Sequence, residues 1–332
     1  MNTRKWSVLL IVAMVLLASA ACEPQVVTEE VVVTQEVERE VEVTREVERE
    51  VEVVVTATPE PEETTLERVQ REGVVRVGFA NESPYAFAQP DGSLSGEAVE
   101  IARVIFERLG IEEMEGVLTE FGSLIPGLQA NRFDAITAGM YVKPERCEQA
   151  LFADPEYCIG EALIVEAGNP YDLHTYEDIA ANPDVKVGTG AGYFEEGYLT
   201  AVGVSEDQIV LFPDGPSGVA GLQAGQIDVW TSTAPACIKL VETTGDPNLE
   251  LAEPFTDPII EGKSVVGCGA TAFRREDVDF RNAFNAELTA LKESGELLEI
   301  ISQFEGFGEA TLPGDRTVSD MCPDAYTDFD LD

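Results

Sequence analysis

FGSLIPGLQANRFDAITAGMYVKPER, from Phe121 to Arg146, is the stretch on which the fold turns. Ser123 to Ala130 reads as a helix and Asp134 to Ala138 as a short strand, so one α/β step is complete within it. The stretch ends on Pro144-Glu145, which reads as a helix start because proline suits the first helical position. Arg146 follows, and a guanidinium can fork onto two carboxylate oxygens. The competing reading of Arg146 is a surface arginine paired with Glu145 or Glu148.

Working outward, the same alternation continues on both sides. Upstream lie the apolar strand VVRVGFA at Val74 to Ala80, a turn at Asp91-Gly92 and a helix from about Glu97 to Leu109. In that helix Ala98, Ile101, Val104, Ile105 and Leu109 recur at three and four residues, and Gly110 stops it. Downstream, Val185 to Gly188, Gly215 to Ala224 and Ile227 to Thr231 repeat strand and helix in turn. A long helix at about Val278 to Ser294 and a short one near Leu297 to Phe304 close the pattern. Such alternation predicts an α/β fold with parallel sheets.

The first residues differ in kind. Arg4 and Lys5, the apolar run Trp6 to Leu17 and the small residues Ala18-Ser19-Ala20-Ala21 before Cys22 have the layout of a secretory signal. The run is short for a bilayer span. Ending on a cysteine, it resembles a bacterial lipoprotein signal, 1–21, whose Cys22 would be acylated, although Ser19 stands where such signals usually place leucine. Ordinary cleavage to a soluble protein is the alternative, and both imply export. From 22 to 65 the composition turns to Val, Glu, Thr and Arg, with the near-repeat EVEREVEVTR and EVEREVEVVV. Its valines alternate with a strand's period yet have no partner strand, which predicts an extended stalk.

Charge and cysteines narrow the function. With 63 Asp and Glu against 21 Lys and Arg, the net charge of −42 opposes binding to nucleic acid or an anionic membrane surface. Export permits disulfides, and after Cys22 five cysteines remain, an odd number. The expected bridges are Cys147 to Cys158 and Cys268 to Cys322, with Cys237 free. No C-x-x-C pattern occurs and His174 is the only histidine, so neither a metal site, a cofactor nor a histidine-based catalytic triad is expected.

The order GFANESPY, then FGSLIPGLQANRFDAITAGMYVKPERCEQALFADPEYC, then GLQAGQIDVW resembles the family 3 extracellular solute-binding proteins of ABC importers. That resemblance implies a two-lobed, type II periplasmic-binding-protein (Venus flytrap) fold. Lobe I would comprise 66–157 and 266–312, lobe II 158–265, with hinge crossings near Tyr157 and Val266 and an acidic tail at 313–332. It also implies that Arg146 holds a ligand carboxylate.

Two departures bear on the ligand. Tyr141 stands where amino-acid binders usually have a threonine, and Thr233 where they commonly have the aspartate that meets the α-ammonium group. An ordinary amino acid would lose a partner at each end, and an unpaired buried charge costs several kcal/mol. In their place come Tyr85, Phe121 and Tyr141, aromatic faces able to cage a delocalised cation, with Glu82 beside them. The closest resemblance is to the ectoine and hydroxyectoine binding proteins, and it extends to Cys147, Cys158, Cys268, Cys322 and PDGPSG at Pro213 to Gly218. Phe194 replaces a small polar residue at the carboxylate, where a backbone N–H could serve instead.

Taken singly, each aromatic is more often a core residue. Trp230 and Phe87 are assigned to packing, and Glu120 and Asp134 to solvated or structural roles. The expectation is a monomeric, non-enzymatic binding protein, anchored outside the membrane through Cys22, that hands a zwitterion to an ABC permease. The alternatives are a binder of arginine, a betaine or an opine, and an exported dehydratase on the same fold.

Overall fold

The computed structural model describes residues 63–326 apart from 261, all within the unit Glu60–Asp332. The expected export signal, Cys22 and the expected stalk up to residue 62 lie outside the described residues.

Along the chain come β1 (Val74–Phe79), the short pair β2 (Phe87–Ala88) and β3 (Leu94–Ser95), then β4 (Glu113–Leu118), β5 (Ala135–Ile136) and β6 (Leu151–Phe152). Next are β7 (Tyr157–Ile159), β8 (Glu161–Glu166), β9 (Val187–Gly190), β10 (Ile209–Phe212), β11 (Val229–Thr233) and β12 (Leu249–Leu251). The pair β13 (Ile259–Ile260) and β14 (Lys263–Ser264) leads into β15 (Gly267–Gly269) and β16 (Ala272–Phe273). Two five-stranded sheets result, β4-β1-β5-β16-β6 in lobe I and β10-β9-β11-β8-β12 in lobe II. Between them β7 pairs antiparallel with β15, Cys158 opposite Cys268, so the two hinge crossings lie side by side.

The sheets are mixed, which corrects the expectation of parallel ones. Strands joined through helices do run parallel, β1 with β4 and β5, and β9 with β10 and β11. β16 runs antiparallel to β5 and β6, and β8 antiparallel to β11 and β12. Both exceptions follow a crossing directly. A chain entering a lobe from the hinge travels away from the cleft, against strands that a helical crossover has returned to point the same way.

Helix periodicity was the more reliable guide. The helix Val278–Ser294 turns Phe280, Phe284, Leu288 and Leu291 inward and ends at Gly295, whose φ of 83° is the left-handed conformation that closes helices. Its buried stripe meets Ile101, Ile105 and Phe106 of the helix Glu97–Arg108, over Val75 and Val77 of β1. Each such side chain contributes about 1.5–3 kcal/mol by leaving water. A second cluster, including Phe133, Ile136 and Phe152, covers other strands of the same sheet. Trp230, fully buried in lobe II, packs with Val219, Leu222 and Ile227 as assigned.

The disulfide pairing differs from expectation. Cys158 bonds Cys268 and Cys147 bonds Cys322, while Cys237 is buried and free. Cross-strand pairing of β7 with β15 sets the first pair face to face. The second depends on the C-terminal segment, expected as a tail beyond 312, which instead docks on lobe I. Thr317 caps the short helix Val318–Met321, Val318 N donates to Asp154 Oδ1 at 2.8 Å, and the Tyr326 hydroxyl donates to Ala150 O at 2.9 Å. Val318, Cys322 and Tyr326 are buried in the same cluster as Cys147, so apolar residues spaced along an acidic segment decide its fate.

Candidate functional site

The site forms where loops at the ends of β1, β5, β9 and β11 meet across the cleft. Lobe I supplies Glu82 and Tyr85 after β1, Phe121 after β4, and Tyr141 after β5. Lobe II supplies Phe194 beyond β9 and Thr233 at the end of β11. These six residues, together with Gly139, Tyr193, Glu195 and Ser232, line one cavity of about 20 Å³. That volume holds about one water molecule, so the lobes are closed over the cavity.

Direct contacts between the lobes maintain that closure. The Tyr85 hydroxyl donates to Thr233 Oγ1 at 2.6 Å, and Tyr141 stacks on Phe194 with ring centroids 4.1 Å apart. Phe121 meets Tyr193 edge to face at 5.0 Å, and Lys143 Nζ lies 5.4 Å from the Phe194 ring centre and 5.0 Å from that of Tyr198. The Tyr141 hydroxyl is tied to Ile159 O of β7 at 3.1 Å, while its ring packs closely against Gly267 of β15. A Cβ at Gly267 would sit 1.4 Å from that ring, so only glycine leaves room for it. Hinge and aromatic wall are therefore one packed unit.

Arg146 takes a different position from the other sequence-predicted residues. It does not line the cavity: one guanidinium nitrogen donates to Tyr141 O at 2.9 Å and another to Gly192 O of lobe II at 3.0 Å. Its plane lies 5.4 Å from the Phe121 ring centre. The surface pairing with Glu145 or Glu148 does not form. Burial lowers the Arg146 pKa, and the nearby Glu195 carboxyl acts against that shift more than any other charge.

The acids form the electrostatic centre. Burial first, and then Glu195, push the Glu82 carboxyl up to about 8, opposed by the Tyr193 hydroxyl and Arg146. Burial lifts Glu195 to about 7, and Glu161 of β8 also rises, through burial and the neighbouring Glu195 and Asp257. Glu161 and Glu195 are close enough to influence one another strongly, yet none of their four carboxyl oxygens has a hydrogen-bond partner of normal geometry. A second cavity of about 120 Å³, lined among others by Asp214 and Lys239, shares Glu82, Tyr193 and Ser232 with the first.

Sequence reasoning missed Glu195, Tyr193 and Ser232. Glu195 and Glu196 are adjacent and chemically identical, but the helix Glu195–Ala201 buries the first and exposes the second. Tyr157, expected only as a hinge crossing, and Phe307 also belong to the aromatic wall: Tyr157 stacks on Tyr85 at 5.5 Å and meets Phe307 edge-on at 5.2 Å, so the wall continues behind the cavity. An aromatic-rich YFEEGY run was the only signal available. Among the described residues no group of three or more His, Cys, Asp or Glu could hold a metal, and no helix is long and apolar enough to cross a membrane.

Two mixed sheets, paired hinge strands and a polar-aromatic cavity between them define a two-lobed binding protein that closes on a small molecule. Residues 75–308 match the bacterial extracellular solute-binding proteins, family 3, and the chain belongs to that family. It is 35% identical over 262 residues, 78% of this chain and 86% of the relative, to a probable amino-acid ABC transporter periplasmic-binding protein, y4tE, of Sinorhizobium fredii (strain NBRC 101917 / NGR234). Among solved structures it resembles EhuB in complex with hydroxyectoine, at 41% identity and a TM-score of 0.72, covering 78% of this chain and 98% of that one. A more distant relative, cyclohexadienyl dehydratase of Pseudomonas aeruginosa (strain ATCC 15692 / DSM 22644 / CIP 104116 / JCM 14847 / LMG 12228 / 1C / PRS 101 / PAO1), is 25% identical over 182 residues, 54% of this chain and 67% of the relative.

Proposed function

We propose that this protein captures a zwitterionic cyclic amidinium of the ectoine and hydroxyectoine class outside the cell and delivers it to an ABC permease. The observation that carries the proposal is the convergence of Glu82, Tyr85, Phe121 and Tyr141 on one cavity. A carboxylate among aromatic faces suits a delocalised cation, because ring faces attract positive charge without demanding directional donors. The identity of 41% to a protein solved with hydroxyectoine supports the same class. Arg146 would exchange its bonds to Tyr141 O and Gly192 O for the ligand carboxylate, and Phe194 and Thr233 would close the far wall. In this proposal lobe I is 66–157 with 266–312 plus the docked C-terminal segment, lobe II is 158–265, and lipidated Cys22 anchors a monomer through the stalk.

Ligand contacts drawn from both lobes favour the closed form, which then docks on the permease. Binding is preferred to catalysis because the one histidine, His174, is engaged with Pro254 O and Asp172 and does not line the cavity. Calorimetry against ectoine, hydroxyectoine, arginine, glutamine and glycine betaine tests the proposal. Ectoine or hydroxyectoine should bind tightest, and Arg146→Ala should abolish binding. A domain that binds glutamine and ignores both ectoines overturns the ligand class, and turnover of a candidate dehydratase substrate overturns the binding role.

A further inference from the structure

One carboxyl in the cleft has no role in the scheme above. Glu195 is fully buried, lines the same cavity as Glu82, and has no hydrogen-bond partner of normal geometry for either carboxyl oxygen, its nearest polar neighbour being the Glu161 carboxyl. Leaving such a group unsatisfied costs about 1–3 kcal/mol or more, so a purely structural function is a poor explanation for it. The groups around it leave negative charge in excess. Glu161 of β8, Asp257 and the Tyr193 hydroxyl stand on its own lobe, Glu82 faces it across the cleft, and the cations are Arg146 and Lys143. Three glutamates, Glu161 and Glu195 buried and Glu82 half-buried, thus meet two cations, one of which is reserved for a ligand carboxylate.

Resting on the proposed amidinium ligand, we propose that Glu195 is a second counter-ion of the site. Its carboxylate, from lobe II, and that of Glu82, from lobe I, take the two divergent N–H groups of one delocalised cation. The ligand's positive charge then draws the two lobes together. The ligand class narrows accordingly, to cations that present N–H donors on two sides, and quaternary ammonium ions without N–H are disfavoured. Before the ligand arrives, the Glu82 and Glu195 carboxyls each hold a proton. On binding, both give their protons to solvent and pair with the amidinium, and no bond other than O–H is broken. The raised positions of Glu195, at about 7, and Glu82, at about 8, agree with protons being present near neutrality.

The test is calorimetry of full-length protein with ectoine in two buffers of different ionisation enthalpy, which counts protons released. Wild type should release protons at pH 7, and Glu195→Gln should release fewer, bind at least about tenfold more weakly, and melt without ligand at the same temperature or higher. A merely structural glutamate would instead lower melting temperature and affinity together. Should Glu195→Gln fail to fold, the wild-type pH profile decides: between pH 5 and 6.5 affinity should rise with a slope approaching about two protons. A slope of one or less, wild-type affinity in Glu195→Gln, or unchanged proton release in that variant overturns the inference while leaving the ectoine assignment standing. A wild-type protein that ignores ectoine overturns the assignment and this inference with it.

Discussion

Two buried acids, Asp134 in lobe I and Glu195 in the cleft, show how differently this protein treats interior charge. Asp134 is 1% exposed and surrounded by arginines: Arg68 at 2.6 Å, Arg76 at 3.4 Å and Arg274 at 3.7 Å, with the Arg76 backbone N–H donating at 3.0 Å. It clamps the helix Thr65–Glu72, β1 and the chain after β16 to one another. Glu195 is as deeply buried, has no hydrogen-bond partner of normal geometry, and has another acid, Glu161, as its neighbour. A satisfied buried acid holds a fold together, whereas an unsatisfied one lining a cavity is suited to a partner from outside.

Substitutions should separate the two. The largest effect is expected for Asp134→Ala, which removes the buried acid shared by Arg68, Arg76 and Arg274 and leaves Arg274, itself 5% exposed, with Asp277 alone. A loss of about 3–5 kcal/mol in urea unfolding is expected, with ligand affinity of the folded protein unchanged. If Asp134→Ala costs no more than an exposed aspartate, the contrast fails.

Next in size is the pH dependence of the ligand-free protein. Glu82, Glu156 and Glu195 have folded pKa values of about 8, 7 and 7, each raised above 4.5 mainly by burial. A raised acid contributes stability that is fully present below the unfolded value and is lost as pH rises through the folded one. Stability should therefore fall from about pH 4.5 towards pH 8, at up to about 1.4 kcal/mol per pH unit for each proton. Glu195→Gln should flatten the profile, and ligand should reverse its sign, because the bound cation favours the ionised carboxyls. A flat wild-type profile from melting curves would show these acids to be solvated.

The smallest effect is expected for Tyr85→Phe. It removes the buried bond to Thr233 that joins the lobes, so the closed form should lose about 0.5–1.5 kcal/mol. Faster ligand release with little change in melting temperature, followed by stopped flow, is the expected signature. An equal loss in the open form would place the bond within one lobe's stability.

Much of this was legible along the chain. The helix Val278–Ser294 was readable to its ends, because its apolar stripe and closing glycine are local signals. Tyr85, Phe121 and Tyr141 could be singled out from short motifs, and the structure brings all three to one cavity. The cysteine pairing was not legible, since Cys147 and Cys322 are 175 positions apart and meet only because Val318 and Tyr326 bury beside them. Nor was strand direction at β8 and β16, which depends on where the hinge delivers the chain.

The sequence by itself determined the α/β alternation, the family and most of the cavity wall, because periodicity and short motifs are properties of neighbouring residues. Only the tertiary structure decided which sulfur meets which, that the C-terminal segment docks, that Arg146 bridges the lobes through backbone carbonyls, and that Glu195 rather than Glu196 faces the cavity. Each of these depends on contacts between residues distant in the chain or on the phase of one short helix, and burial changes what a glutamate can do without changing its letter.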